Sequence, residues 1–386
     1  MPNTASSRRH DLDVLRVGAF FLLILYHIGM LYAPWWWHVK SHHMVTALTW
    51  PMGLLNPWRL TLLFVISGIA TRFMGQAMAR QTDKVGKQLA GERSLRLLVP
   101  LMFGILVIVP PQSWVQMTEL KLFQGNFWDF YRRYLSADQS FGVVLPTYNH
   151  LWFVAYLWLY TMAAALIWPL LPWLDRLLAK ALSGPGLWLF PAASFGLLRV
   201  SLYPAHPETN LVWDDLYAHL HYGLAFALGL GLANLPQAWD RLAQYRHRSA
   251  GLALVICAFC VPLGFNLANG VPVSALSNMA RSVYAWFVIA ALFGYARQHI
   301  THGNKTLTVL TEAVFPFYII HQTAIVLIGY ALKPLDLPLA AEVLLVISVT
   351  GLSCLAAYGL ARALPILRLP LGLKPLRTRA ATASKP

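Results

Sequence analysis

Ten stretches of about 20 predominantly apolar residues, the length needed to cross the hydrocarbon core of a bilayer, punctuate this chain. They run over 13–34, 56–76, 97–117, 150–173, 186–204, 216–235, 250–268, 280–298, 308–331 and 339–363. Charged residues make up 12% of the chain, about half the share in a soluble domain, so lipid is the expected solvent. In lipid every backbone polar group must be paired within the chain, which leaves helices for segments of this length. The sequence therefore predicts an all-α polytopic membrane protein with about ten transmembrane helices.

Lysine and arginine set the orientation. With the N-terminus in the cytoplasm, 22 of the 30 Lys and Arg residues fall on the cytoplasmic side, and an even span count returns the C-terminus there. The net charge of +15 is thus explained by topology and requires no nucleic acid. Arg8 and Arg9 ahead of an apolar run imitate a signal peptide, but Pro34-Trp35-Trp36-Trp37 follows instead of a small-residue cleavage site, so the run is read as a retained first helix. The expected organisation is a cytoplasmic segment 1–12, a membrane domain 13–363 and a disordered basic tail 364–386. The longest loop, about 118–149, is rich in aromatics and suits a piece lying over a cavity mouth.

Ionisable groups at membrane depth are costly and mark candidate function. Arg16 and His27 are eleven residues apart, three turns plus about 20°, so they share a helix face roughly 16 Å apart along the axis. Asp13 lies on the same face, one turn before Arg16. This stripe reads either as a snorkelling anchor with a buried histidine or as a site. His150 opens the fourth span as an interfacial cap or a site residue, and His321 lies deep in the ninth, where a cavity-lining role is favoured. Arg93 and Arg96, at i and i+3 before the third span, are a positive-inside anchor or a fork for phosphates. His38, His42 and His43 lack accompanying carboxylates and read as a flexible interfacial loop. His219 and His221 point to different faces, and Asp214 and Asp215 read as solvated loop. Cys257 and Cys260 form a CxxC inside an apolar helix and read as packing. No metal site is expected. GxSxG, HExxH, SxxK and Gly-rich phosphate loops are absent from the sequence, so hydrolase and nucleotide-driven pump readings lack their parts.

Five segments in order then resemble one family. Asp13-Val-Leu-Arg16 with His27 is similar to the first-helix signature of the acyltransferase-3 family of bacterial membrane proteins. Leu63-Phe64-Val65-Ile66-Ser67-Gly68 resembles its FFxxSG element, Arg93-Ser-Leu-Arg96 its basic motif, and His150-Leu-Trp152-Phe153 its HLWFL segment. Tyr318-Ile-Ile-His321-Gln322 resembles the YxxHQ stretch of the branch containing the glucan biosynthesis protein C succinyltransferases. The resemblance implies an O-acyltransferase of the bacterial inner membrane, working between cytoplasmic acyl-CoA and a hydroxyl of an envelope carbohydrate or glucan. It implies His27 as the catalytic histidine; Asp13 and His321 are further catalytic candidates. Arg16, Arg93 and Arg96 would hold the donor; Ser67, His150, Trp152 and Tyr318 would line the acceptor side. Acyl-CoA is a co-substrate, and no cofactor is expected to stay bound. An extra extracytoplasmic hydrolase-like domain carried by some members is not expected. The competing expectation is a proton-coupled secondary transporter or exporter of an envelope precursor, which also uses intramembrane Arg and His.

Overall fold

The computed structural model describes residues 8–260 and 274–375, and among them there is no β-strand. Its helices are α1 (His10–Tyr32), α2 (Thr49–Ala79), α3 (Val85–Phe103), α4 (Pro110–Glu119), α5 (Phe127–Leu135), α6 (Trp152–Leu166), α7 (Leu171–Ala181) and α8 (Gly186–Leu202). There follow α9 (Leu216–Leu232), α10 (Pro236–Gln244), α11 (Arg246–Cys260), α12 (Ala275–His299), α13 (Lys305–Leu332), α14 (Leu339–Ala363) and α15 (Pro365–Arg368). Five segments are by themselves long and apolar enough to cross a membrane, and eight if each of three bent helix pairs counts as one span. The chain is an all-α polytopic membrane protein. Leu344, Leu352 and Leu355 of α14 stand more than half exposed, a face suited to lipid and not to water.

Prolines explain where straight expected spans are broken. The third, 97–117, bends by 41° between Ile108 and Pro110. Pro110 and Pro111 have no N–H to give, so carbonyls one turn earlier lose their helical partners, and residues Gly104–Ile108 widen into a π-helical turn. Two of the carbonyls near the break are recruited elsewhere, Tyr134 Oη donating to Ile105 O and Tyr131 Oη to Leu106 O, and Thr323 Oγ1 donates to Ile108 O at the bend itself. The fourth, 150–173, bends by 67° after Leu166, where Pro169 and Pro172 follow, and the sixth bends by 103° ahead of Pro236. The seventh expected span reaches Cys260; its remainder, like the Cys260 side chain, lies outside the described residues.

The expected disordered tail is corrected over 364–375. Leu371 and Leu373 are 4% and 2% exposed and join the core, and Gly372, at φ +82°, packs its backbone on the Phe315 ring. A side chain there would be strained and would collide with that ring. Closest packing in the bundle joins α2 to α9. A Cβ on Gly68 would sit 2.1 Å from Phe226 O, and one on Gly229 would sit 2.0 Å from Val65 O. The two glycines therefore bring the backbones together as small residues do between membrane helices. This contact also fixes Phe64, whose ring stacks on Tyr222 at 4.7 Å and meets Phe153 at 4.5 Å.

Candidate active site

Helix α13 carries His321 into the centre of the bundle, where it is 0% exposed. His27, on α1, meets it: His27 Nδ1 lies 2.8 Å from His321 Nε2, with the rings stacked at 5.0 Å. The protons on this pair follow from what surrounds it. His321 Nδ1 faces the carbonyls of Tyr318, at 2.7 Å, and Phe317, at 3.2 Å. A carbonyl only accepts, so Nδ1 carries the proton, and Nε2 of a neutral ring is left as an acceptor. His27 must then donate from Nδ1, which leaves its own Nε2 with a free lone pair. Two backbone carbonyls thus fix the tautomer of a base one residue away, the role a carboxylate plays in a hydrolase triad.

A polar scaffold holds this pair. His150 is 6% exposed; its Nε2 donates to Ile319 O at 3.1 Å, and its ring meets His321 edge-on at 5.2 Å. Tyr318 Oη donates to the His150 carbonyl. Gln322 Nε2 donates to Gln112 Oε1 at 3.0 Å and to His38 Nε2 at 3.1 Å. Gln112 in turn donates to Thr323 Oγ1, and His38 Nδ1 donates to Gln116 Oε1 at 2.6 Å. Trp37 stacks over His27 at 6.4 Å, closing the distal end of the site. In the loop behind it, burial pushes the Lys40 ammonium down to about 8, and Lys40 donates to the carbonyls of Met30 and Ala33 at the end of α1.

The sequence expectations are sorted by this geometry. His27, His150, Tyr318 and His321 come together. Trp152 packs on Tyr156 and Tyr222 and touches none of the histidines among the described residues. Ser67 is half-buried and makes no hydrogen bond to them among the described residues. Asp13 accepts from Arg8 at 2.7 Å and from Arg16 at 3.3 Å, about 21 Å below His27 along the helix axis, and so does not act beside it. Two readings need correcting. His38 belongs to the scaffold and not to a loose interfacial loop. Asp215 is 3% exposed and accepts from Tyr156 Oη at 2.6 Å, whereas a solvated position was expected. Gln112 and Gln116 went unread; the signal available was two glutamines following a Pro-Pro break in an apolar run.

At the basic end of α1 the arginines converge. Arg16, Arg93 and Arg96 lie within Coulombic range of one another. Arg93 Nη2 donates to Thr71 Oγ1 at 2.7 Å, while Nε of both Arg16 and Arg93 is buried with no partner among the described residues. Such an arrangement leaves guanidinium donors available for an anion. A cavity of about 580 Å³ lies elsewhere, lined by Trp188, Arg241, Tyr245 and Arg248 among others. It does not touch His27, and size alone does not outweigh the convergence of histidines.

Fold and site together define a polytopic membrane protein with a tautomer-fixed imidazole pair at one level of α1 and an arginine cluster at another. Residues 9–362 match the acyltransferase-3 family model, described as an acyltransferase domain. The chain belongs to that family and is a multi-pass membrane acyltransferase. No curated protein and no solved structure matches it.

Proposed function

We propose that this protein moves an acyl group from cytoplasmic acyl-CoA to a hydroxyl of a carbohydrate acceptor at the far side of the bacterial inner membrane. The observation that carries the reading is the vertical separation of the two sites. Arg16 and His27 stand on one helix face roughly 16 Å apart, about the reach of a pantetheine arm spanning half a bilayer. The nucleotide end of the donor binds Arg16, Arg93 and Arg96, and its thioester rises to His27. There His27 Nε2 removes the acceptor's hydroxyl proton as the oxygen attacks the thioester carbonyl. The C–O bond forms, the tetrahedral oxyanion collapses, and the C–S bond breaks. The proton held on His27 then passes to the departing CoA thiolate. His321, anchored on two carbonyls, accepts from His27 Nδ1 throughout and stabilises the transient imidazolium.

The test is binding of radiolabelled acetyl-CoA to purified protein. The reading expects saturable binding weakened about tenfold or more by Arg93→Gln with Arg96→Gln, the loss of charge-assisted hydrogen bonds. Binding unaffected by both substitutions contradicts it, and counterflow of a solute without acyl transfer establishes a carrier.

A further inference from the structure

Arg59 has no role in the scheme above. It sits on α2, 3% exposed, within Coulombic range of both His27 and His321. Its guanidinium lies 3.9 Å from the Tyr26 ring centroid, and Tyr26 meets His27 edge-on. Two of its nitrogens, Nε and Nη1, are buried with no hydrogen-bond partner among the described residues. No salt bridge joins it to a carboxylate among those residues.

This cation is not fully compensated. A desolvated cation–π contact recovers only part of the cost of burying a charge. Its surroundings add further arginines, with the Glu208 carboxylate within Coulombic range of Arg199 and Arg281 and not of Arg59. Arg281 donates to Asn56 Oδ1 at 2.8 Å, and Asn56 donates to Tyr26 Oη at 3.0 Å. Behind Asn56 lies a cavity of about 20 Å³ lined by Thr61, Arg199, Glu208, His221 and Arg281 among others, space for about one water. In the orientation that the sequence favours, Arg59, Arg199 and Arg281 all belong to the acceptor side. A positive-inside topology gives no reason for arginines there.

We infer that Arg59 binds a carboxylate or phosphate on the substrate end that meets His27. The anion satisfies Nε and Nη1, and Arg281 behind Asn56 supports it. The anion is either a terminal carboxylate of the acyl group or a charged substituent of the acceptor. This rests on the transferase reading, because it places a substrate at His27.

The experiment compares matched probes on the purified full chain, using thermal-shift titration. One pair is glutaryl-CoA against pentanoyl-CoA, equal in acyl length; the other is glucose 6-phosphate against glucose. In wild type the anionic member of one pair binds about tenfold or more tighter than its neutral partner, the scale of a charge-assisted hydrogen bond. Which pair responds identifies the source. Arg59→Gln and Arg59→Met abolish the preference and leave the neutral members within twofold. Met is included because apolar replacements of similar volume are often tolerated where an ion was buried. Equal affinities within both pairs in wild type overturn the inference without any variant having to fold. A preference that survives either substitution overturns it too, as does an Arg59 variant that slows transfer equally from charged and neutral substrates. Preference without acyl transfer to any acceptor would remove the transferase assignment and leave the anion site standing. Transfer without preference would do the reverse.

Discussion

At the scale of single residues, the central feature is that two carbonyls on one side of His321 decide where the proton sits on His27 at the other. His321 orients His27 only because its Nε2 can accept, and that yields a graded prediction. His321→Phe removes the acceptor and lowers acyl transfer by roughly a hundredfold, the size of a misdirected acid–base group. His321→Gln, whose side-chain carbonyl can also accept from His27 Nδ1, retains more activity than Phe, whatever the two do to stability. Equal losses in steady-state transfer assays, with both proteins folded, would show that His321 is packing alone. Much of this site was legible from residue type and depth, since imidazoles at 27 and 321 have no surface to reach. The tautomer was not, because it depends on which carbonyls of α13 face the ring. Asp13 shares the helix face but stands with Arg16, about 21 Å along the axis from His27. Arg59 is one of the eight Lys and Arg residues on the far side in the topology count, and nothing in sequence distinguishes a cation that reaches water from one sealed over Tyr26.

Elements set the site through a few sharp constraints. The α2–α9 contact depends on hydrogen atoms at Gly68 and Gly229, with helix backbone atoms as the opposing surface, so no side chain can move aside. Gly229→Ala is expected to destabilise the protein by roughly 1–3 kcal/mol, as overpacking does. The loss would be measured as a lowered thermal midpoint in detergent, with Gly351→Ala, a position open to space, as the control near wild type. An unchanged Gly229→Ala midpoint would contradict the packing. The π-helical turn at Gly104–Ile108 is the second constraint. Spans of apolar residues are readable and prolines mark where they can break, but which freed carbonyls find new partners depends on distant hydroxyls. Tyr131, Tyr134 and Thr323 accept the task of capping freed carbonyls. Tyr134→Phe leaves Ile105 O and Thr147 O without that donor and should raise hydrogen exchange over 127–147 relative to wild type; unaltered exchange would show that water replaces the hydroxyl at no cost.

Taken whole, the molecule is a helical bundle that keeps its arginine cluster and its histidine pair at different levels along α1. Composition and periodicity were enough to predict helices in lipid, since few other folds bury so much apolar sequence. They were not enough to predict that residues 364–375 fold back onto the core through Leu371 and Leu373. The leucines of this segment, Leu364, Leu367, Leu369, Leu371 and Leu373, lie among Pro365, Pro370 and Pro375 and show no helical period. The vertical arrangement makes its own prediction about sidedness. In right-side-out and inverted vesicles, acyl-CoA should support transfer only when presented at the side carrying Arg93 and Arg96, with the acceptor at the side carrying Trp37. Transfer with both substrates confined to one side would contradict it.

The most direct measurement is transfer of a radiolabelled acyl group by purified His27→Ala, inserted and folded like wild type. A loss of about a hundredfold or more, with acetyl-CoA still bound at the arginine cluster, is the expected result for removal of the general base. Undiminished transfer by that variant would contradict the account.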